Sequence, residues 1–136
     1  MSVAILRQGD YLIASIRSDL TDGQLLGLRD DLAERVGAQR IRGIVVDVGA
    51  LDVIDSFMAR ALRSIVQTAG LRGAETVIVG IQPDVAIAMV QFDLNLEPLR
   101  AVLDLDEAVS LLDRLTHGED SDELDRLTHG EDSDER

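Results

Sequence analysis

Two runs rich in β-branched residues and free of polar alternation, residues 44–48 (IVVDV) and 76–81 (TVIVGI), constrain the fold of this chain more than anything else in it. A strand with one face in water alternates apolar and polar residues, whereas a strand covered on both faces reads as a continuous apolar run. Both runs therefore belong in the middle of a sheet, as parallel neighbours. Parallel neighbours need a crossover, and the stretch between them supplies one. Met58, Leu62, Ile65 and Ala69 recur at helical spacing, and Gly70 and Gly73 punctuate the end.

The rest of the chain extends this strand-helix-strand unit. Residues 3–6 and 11–16 flank Gln8-Gly9-Asp10 and read as a hairpin. Thr21 and Gln24 have capping-box spacing ahead of Leu25, Leu28, Leu32 and Val36, with Gly37 placed to end that helix. Pro83 suits the first position of a third helix reaching to about residue 92, and residues 99–103 read as an edge strand. Asp104 and Glu107 then cap a last helix with Leu105, Ala108, Val109 and Leu112 on its inner face. The order is ββαβαβαβα, an α/β fold with a mixed β-sheet packed by α-helices. At 136 residues and 46% hydrophobic, the chain builds one core.

Composition removes whole classes of function. All thirteen basic residues are Arg, set against 26 acidic ones, and the net charge of −13 repels nucleic acid and anionic membranes alike. Neither is expected as a partner. Without Lys there is no P-loop or Schiff-base lysine; without Cys there is no thiol nucleophile, thiolate zinc site or disulfide. The two histidines, His117 and His129, lie near the C-terminus, which leaves the core without an imidazole for a hydrolytic triad or a metal. The chain reads as a non-enzyme with no cofactor. It has neither a basic leader followed by an apolar run nor a span of about 18 apolar residues, so a cytoplasmic location is expected.

The C-terminal end is one segment written twice. Residues 112–123 read LDRLTHGEDSDE, and residues 124–135 repeat them letter for letter. Structural repeats diverge and have longer periods, so this pair is given no role in the fold. The folded domain is expected over 1–115. Residues 116–136 are expected to form a disordered acidic tail that contains the second copy.

One stretch offers a site. Residues 47–67, DVGALDVIDSFMARALRSIVQ, join the end of a buried strand to a helix through a loop rich in carboxylates. Ser56 falls at the helix start, where backbone N–H groups are unpaired and an anion is favoured; either Asp55 or Ser56 is the N-cap. Positions 56, 60, 63 and 67 share one face, which sets Arg60 one turn and Arg63 two turns from the serine. A phosphate on Ser56 would meet those arginines and the like charges of Asp52 and Asp55, and would repel a partner docked near Phe57. A plain helix cap accounts for the same residues. Asp47, Asp52 and Asp55 also raise the idea of magnesium, but a receiver-type site would want a lysine that this chain lacks, and no metal is expected.

The element order and the Ile54-Asp55-Ser56-Phe57 segment resemble the STAS domain, the family of anti-sigma-factor antagonists. Within that family the chain is most similar to the RsbS branch, the small STAS-only subunits of the stressosome. The stretches that carry this are 45–62 (VVDVGALDVIDSFMARAL), 80–90 (GIQPDVAIAMV) and 103–112 (LDLDEAVSLL), within a resemblance that covers residues 1–115. It implies a non-enzymatic scaffold for signal transduction in a stress response. Such a protein co-assembles with RsbR-type STAS paralogues and sequesters an RsbT-type switch serine kinase. The kinase is released on phosphorylation of the serine that begins the second helix, here Ser56, and an RsbX-type phosphatase resets the site. The duplicated tail and the Arg-only basic set depart from the family pattern, and neither touches the motif.

Other readings stay open. A free-standing antagonist of the SpoIIAA type would bind an anti-sigma kinase one-to-one. From a different class, a small ligand such as a nucleotide could enter the crevice at the strand ends near Gln82 and Pro83. Gly70 and Gly73 follow a helix and precede a strand, the wrong order for a phosphate cradle, and read as a turn. Met58, Met89 and Phe92, at helical spacing, read as core.

Overall fold

The computed structural model describes residues 5–92 and 100–118. Five strands form one sheet: β1 (Ile5–Gln8), β2 (Tyr11–Ser15), β3 (Gly43–Asp47), β4 (Glu75–Val79) and β5 (Arg100–Val102). They lie in sequence order. β1 runs antiparallel to β2, and β2, β3, β4 and β5 are parallel neighbours. The helices are α1 (Asp22–Gln39), α2 (Ser56–Leu71), α3 (Pro83–Gln91) and α4 (Leu105–Asp113), and a single π-helical turn, Arg114–Gly118, continues α4. The mixed α/β sheet with four helices is the fold class read from the sequence.

The pleat divides the central strands between two apolar layers. Ile44 and Val46 of β3 and Ile78 of β4 enter the main core with Leu25, Leu28 and Leu32 of α1, Leu62 and Ile65 of α2, and Val85 and Met89 of α3. Val45 and Val77, one residue out of step, face the other way and meet Ala108 and Leu112 of α4. The continuous apolar runs exist because both faces are covered, as their lack of alternation predicts.

Boundaries differ in places, for local reasons. Gln8 pairs with Tyr11, so the first strand runs through Gln8 and the hairpin turn is Gly9-Asp10 alone; residues 3 and 4 lie outside the described residues. α1 does not stop at Gly37. It continues to Gln39 and ends on Arg40 in the left-handed conformation (φ 53°), while buried Ile41 draws the chain into the core. Gly37 instead makes room, since a Cβ there would lie 2.7 Å from the Arg72 guanidinium. Leu105, placed on the inner face of α4 by its spacing, is 40% exposed. β5 is only three residues long and gives that first turn little sheet to cover it. Met58 and Met89 are core, whereas Phe92 sits at the C-cap of α3 and is 38% exposed. Gly73 donates to the Gly70 carbonyl at 3.1 Å in the turn after α2. Residue 99 and the tail from residue 119 onward, including the whole second copy of the repeat, lie outside the described residues.

The chain beyond α4 is tied back to the sheet by polar contacts that periodicity could not reveal. The Tyr11 hydroxyl donates to Asp113 Oδ1 at 2.5 Å and lies 3.1 Å from Thr116 Oγ1. Arg42 donates to the Thr116 carbonyl and lies 3.2 Å from His117 Nδ1. Burial, with the Asp113 hydrogen bond next in weight, pushes the Tyr11 phenol above its usual pKa of 10.0.

Candidate functional site

The segment between β3 and α2 is held by its apolar residues and presents its polar ones. Val48, Leu51 and Ile54 are buried, and every third side chain thus pins the loop to the main core. Val48 N–H donates to the Val79 carbonyl at 2.9 Å, and Leu51 N–H closes a turn on the Val48 carbonyl at 3.0 Å. Between these anchors Asp52 is exposed and Val53 is 75% exposed. The loop is a fixed ledge with a charged and apolar rim.

Asp55 is the N-cap of α2. Its Oδ1 accepts from Met58 N–H at 2.8 Å, and its carbonyl accepts from Ala59 N–H at 3.0 Å. Of the two candidates for the cap, the carboxylate takes the role and leaves Ser56 as the first helical residue. Ser56 is exposed, and among the described residues no hydrogen bond engages its hydroxyl. A capping serine would have its oxygen committed to the helix; here the hydroxyl is free to be approached.

Phe57, Arg60 and Arg63 follow Ser56 in the first turns of α2. Phe57 is half-buried, and the Arg60 guanidinium lies over its ring at 6.0 Å from the centroid, which turns the arginine back toward the first turn. Arg60 is exposed and Arg63, a turn further on, is half-buried. Ser56, Phe57 and Arg60 therefore stand together at the helix start, with Asp52 and Asp55 on the loop before them.

Of the three carboxylates in this segment, Asp47 and Asp55 are engaged by backbone N–H groups. Asp47 Oδ1 accepts from Gly49 N–H at 2.8 Å, Asp55 caps α2, and Asp52 is exposed. Among the described residues no three His, Cys, Asp or Glu side chains are grouped to hold a metal ion. No described helix is long and apolar enough to cross a membrane.

One contact at this site was not legible in the sequence. Gln82, just before α3, reaches across and donates from Nε2 to the Gly49 carbonyl at 3.0 Å. The available signal was a glutamine at a position where helices prefer Ser, Thr, Asp or Asn.

Comparison with known proteins places the fold. A model of the STAS domain matches residues 2–108. A variant of RsbS from Moorella thermoacetica, carrying a serine-to-glutamate substitution, superposes with a TM-score of 0.77 at 31% identity, over 83% of this chain and 96% of its own. A chain of the stressosome, described as a signal integration and transduction hub, superposes with a TM-score of 0.76 at 32% identity, over 84% of this chain and 99% of its own. YezB, an uncharacterised protein of Bacillus subtilis, is 33% identical over 57 residues, 42% of this chain; the match spans 58% of that protein's length.

Proposed function

Because this chain belongs to the STAS domain family, we propose that it is an RsbS-type subunit of a stressosome-like assembly, a cytoplasmic scaffold that acts by binding rather than catalysis. In this reading it co-assembles with RsbR-type STAS paralogues through residues 1–115 and holds an RsbT-type switch serine kinase. Phosphorylation of Ser56 releases that kinase, and an RsbX-type phosphatase restores the bound state.

The observation that carries the reading is the state of Ser56. Its hydroxyl is exposed at the first position of α2 and, among the described residues, unbonded, because Asp55 has taken the cap. Phosphorylation adds a charge of about −1.5 to −2 at that point. Asp52 and Asp55 already make the rim negative, while Arg60, held over Phe57 and one helical turn from Ser56, would share the phosphate along the helix. A kinase seated on Val53 and Phe57 would have to desolvate the new charge against these carboxylates. A penalty of about 2–3 kcal/mol weakens such a complex on the order of a hundredfold.

The test is phosphorylation by the cognate RsbT-type kinase with ATP, read by intact mass and peptide mapping, on wild type and Ser56→Ala. One phosphate that maps to Ser56 and disappears in the variant is expected. A kinase that modifies a paralogue but leaves this chain untouched reduces Ser56 to a helix residue and the chain to a passive scaffold. Size-exclusion with an RsbR-type paralogue separates a large shell from the one-to-one complex that a SpoIIAA-type antagonist would form.

A further inference from the structure

Among the described residues, α1, α2 and α4 are each capped by their own N-cap side chain. Thr21 accepts from Gln24 N–H, Asp55 from Met58 N–H and Asp104 from Glu107 N–H. α3 is the exception. Its N-cap residue is Gln82, whose side chain makes no capping bond; Pro83, which has no N–H to satisfy, follows at the helix start. The Gln82 amide is used elsewhere, as a donor to the Gly49 carbonyl in the loop that leads to Ser56. A position that breaks the local rule for helix ends while making a bond to another element is where a functional constraint is to be sought.

That bond belongs to a wider junction. Gly49 N–H is held by Asp47 Oδ1 at 2.8 Å, so both polar backbone groups of Gly49 are engaged, one by each of two side chains. The preceding amide, Val48 N–H, is tied to β4 through the Val79 carbonyl. Gly80 follows with φ at +78°, and a Cβ there would lie 3.1 Å from Gly49 Cα. Gly80 permits this close approach, and its positive φ, because it has no side chain. The Val48 to Leu51 turn is thereby clamped from α3's side, and its far end leads directly into Asp55 and Ser56.

We propose that Gln82 is a positioning residue for Ser56: by holding the Gly49 carbonyl it fixes the 48–55 loop in the conformation that presents the serine to its kinase. This rests on the phosphorylation reading above. It adds a dependence of Ser56 presentation on the β4–α3 loop that the site's own residues do not contain. Gln82 touches neither the hydroxyl nor the incoming phosphate and acts through Gly49.

The test uses the full chain with Gln82→Met, which keeps length and volume but cannot donate, and Gln82→Lys, which restores an N–H donor on a side chain of similar reach. Amide hydrogen exchange is read first, without any kinase. In Gln82→Met the amides of residues 49–56 are expected to exchange about fivefold faster, the weight of one lost hydrogen bond, with α1 and β3 unchanged and with recovery in Gln82→Lys. Steady-state phosphorylation by the RsbT-type kinase is then expected to show a several-fold higher KM at unchanged kcat, again rescued by lysine. Unchanged exchange over 49–56, or faster exchange spread evenly through α3 and the core, overturns the proposal. So does a loosened loop with an unaltered KM. A wild-type chain that the kinase does not modify overturns the phosphorylation reading instead, and the exchange data still decide whether Gln82 holds the loop.

Discussion

Replacing Asp55 with alanine separates the two things this carboxylate does. In the structure it accepts from Met58 N–H at 2.8 Å in a partly buried setting, the single side-chain cap on α2. Alanine leaves that N–H without its partner, at a cost of about 1–2 kcal/mol for a lost cap with charge-assisted bonding. For a domain of this size a loss of about 1 kcal/mol lowers Tm by roughly 3–6 °C. Asparagine caps as well as aspartate but carries no charge, so Asp55→Asn is expected to keep nearly all of the stability. Thermal unfolding by circular dichroism, together with urea midpoints, measures both variants. The reasoning fails if Asp55→Ala unfolds at the wild-type temperature, or if Asp55→Asn loses as much as Asp55→Ala, since the carboxylate's geometry would then not be what holds the helix start. With stability accounted for in this way, any remaining loss of Ser56 phosphorylation in Asp55→Asn reports recognition of the charge by the kinase.

Two further outcomes follow from the contacts at the other end of the sheet. The Tyr11 phenol titrates above 10.0 in the folded chain, so its contribution is complete below the unfolded value and is lost as pH rises through the folded one. Urea midpoints are expected to fall on going from about pH 9 to pH 11, and Tyr11→Phe is expected to flatten that fall while lowering stability at pH 7; an unchanged slope would remove Tyr11 as its source. Ending the chain after Glu123 deletes the second repeat and is expected to leave Tm at the wild-type value, because Asp113, Thr116 and His117 all come from the first copy. The second copy cannot take over by sliding twelve residues, as that would set Asp120 where Ala108 is fully buried. A measurable drop in Tm would show that the second copy packs on the domain.

Much of the architecture was legible because it depends on burial, and burial leaves a periodic trace. The runs at 44–48 and 76–81 became β3 and β4 because strands covered on both faces tolerate no polar alternation. Thr21 and Gln24 closed the reciprocal capping box that their spacing announced, and Pro83 began α3. The location of Ser56 at the start of α2 came from the same source.

What the sequence determined by itself is thus the fold class, the order of elements and the position of the serine, since each follows from local propensity and from which side chains must leave water. The tertiary structure alone decided that Asp55 and not Ser56 is the cap, and that Gly37 lies within α1 and admits Arg72. It also decided that Gln82 holds Gly49 across 33 residues and that Tyr11 meets Asp113 across 102. The physical reason is separation along the chain. A hydrogen bond between distant residues is set by where the strands bring two loops together, and nothing in the spacing of either partner records the other.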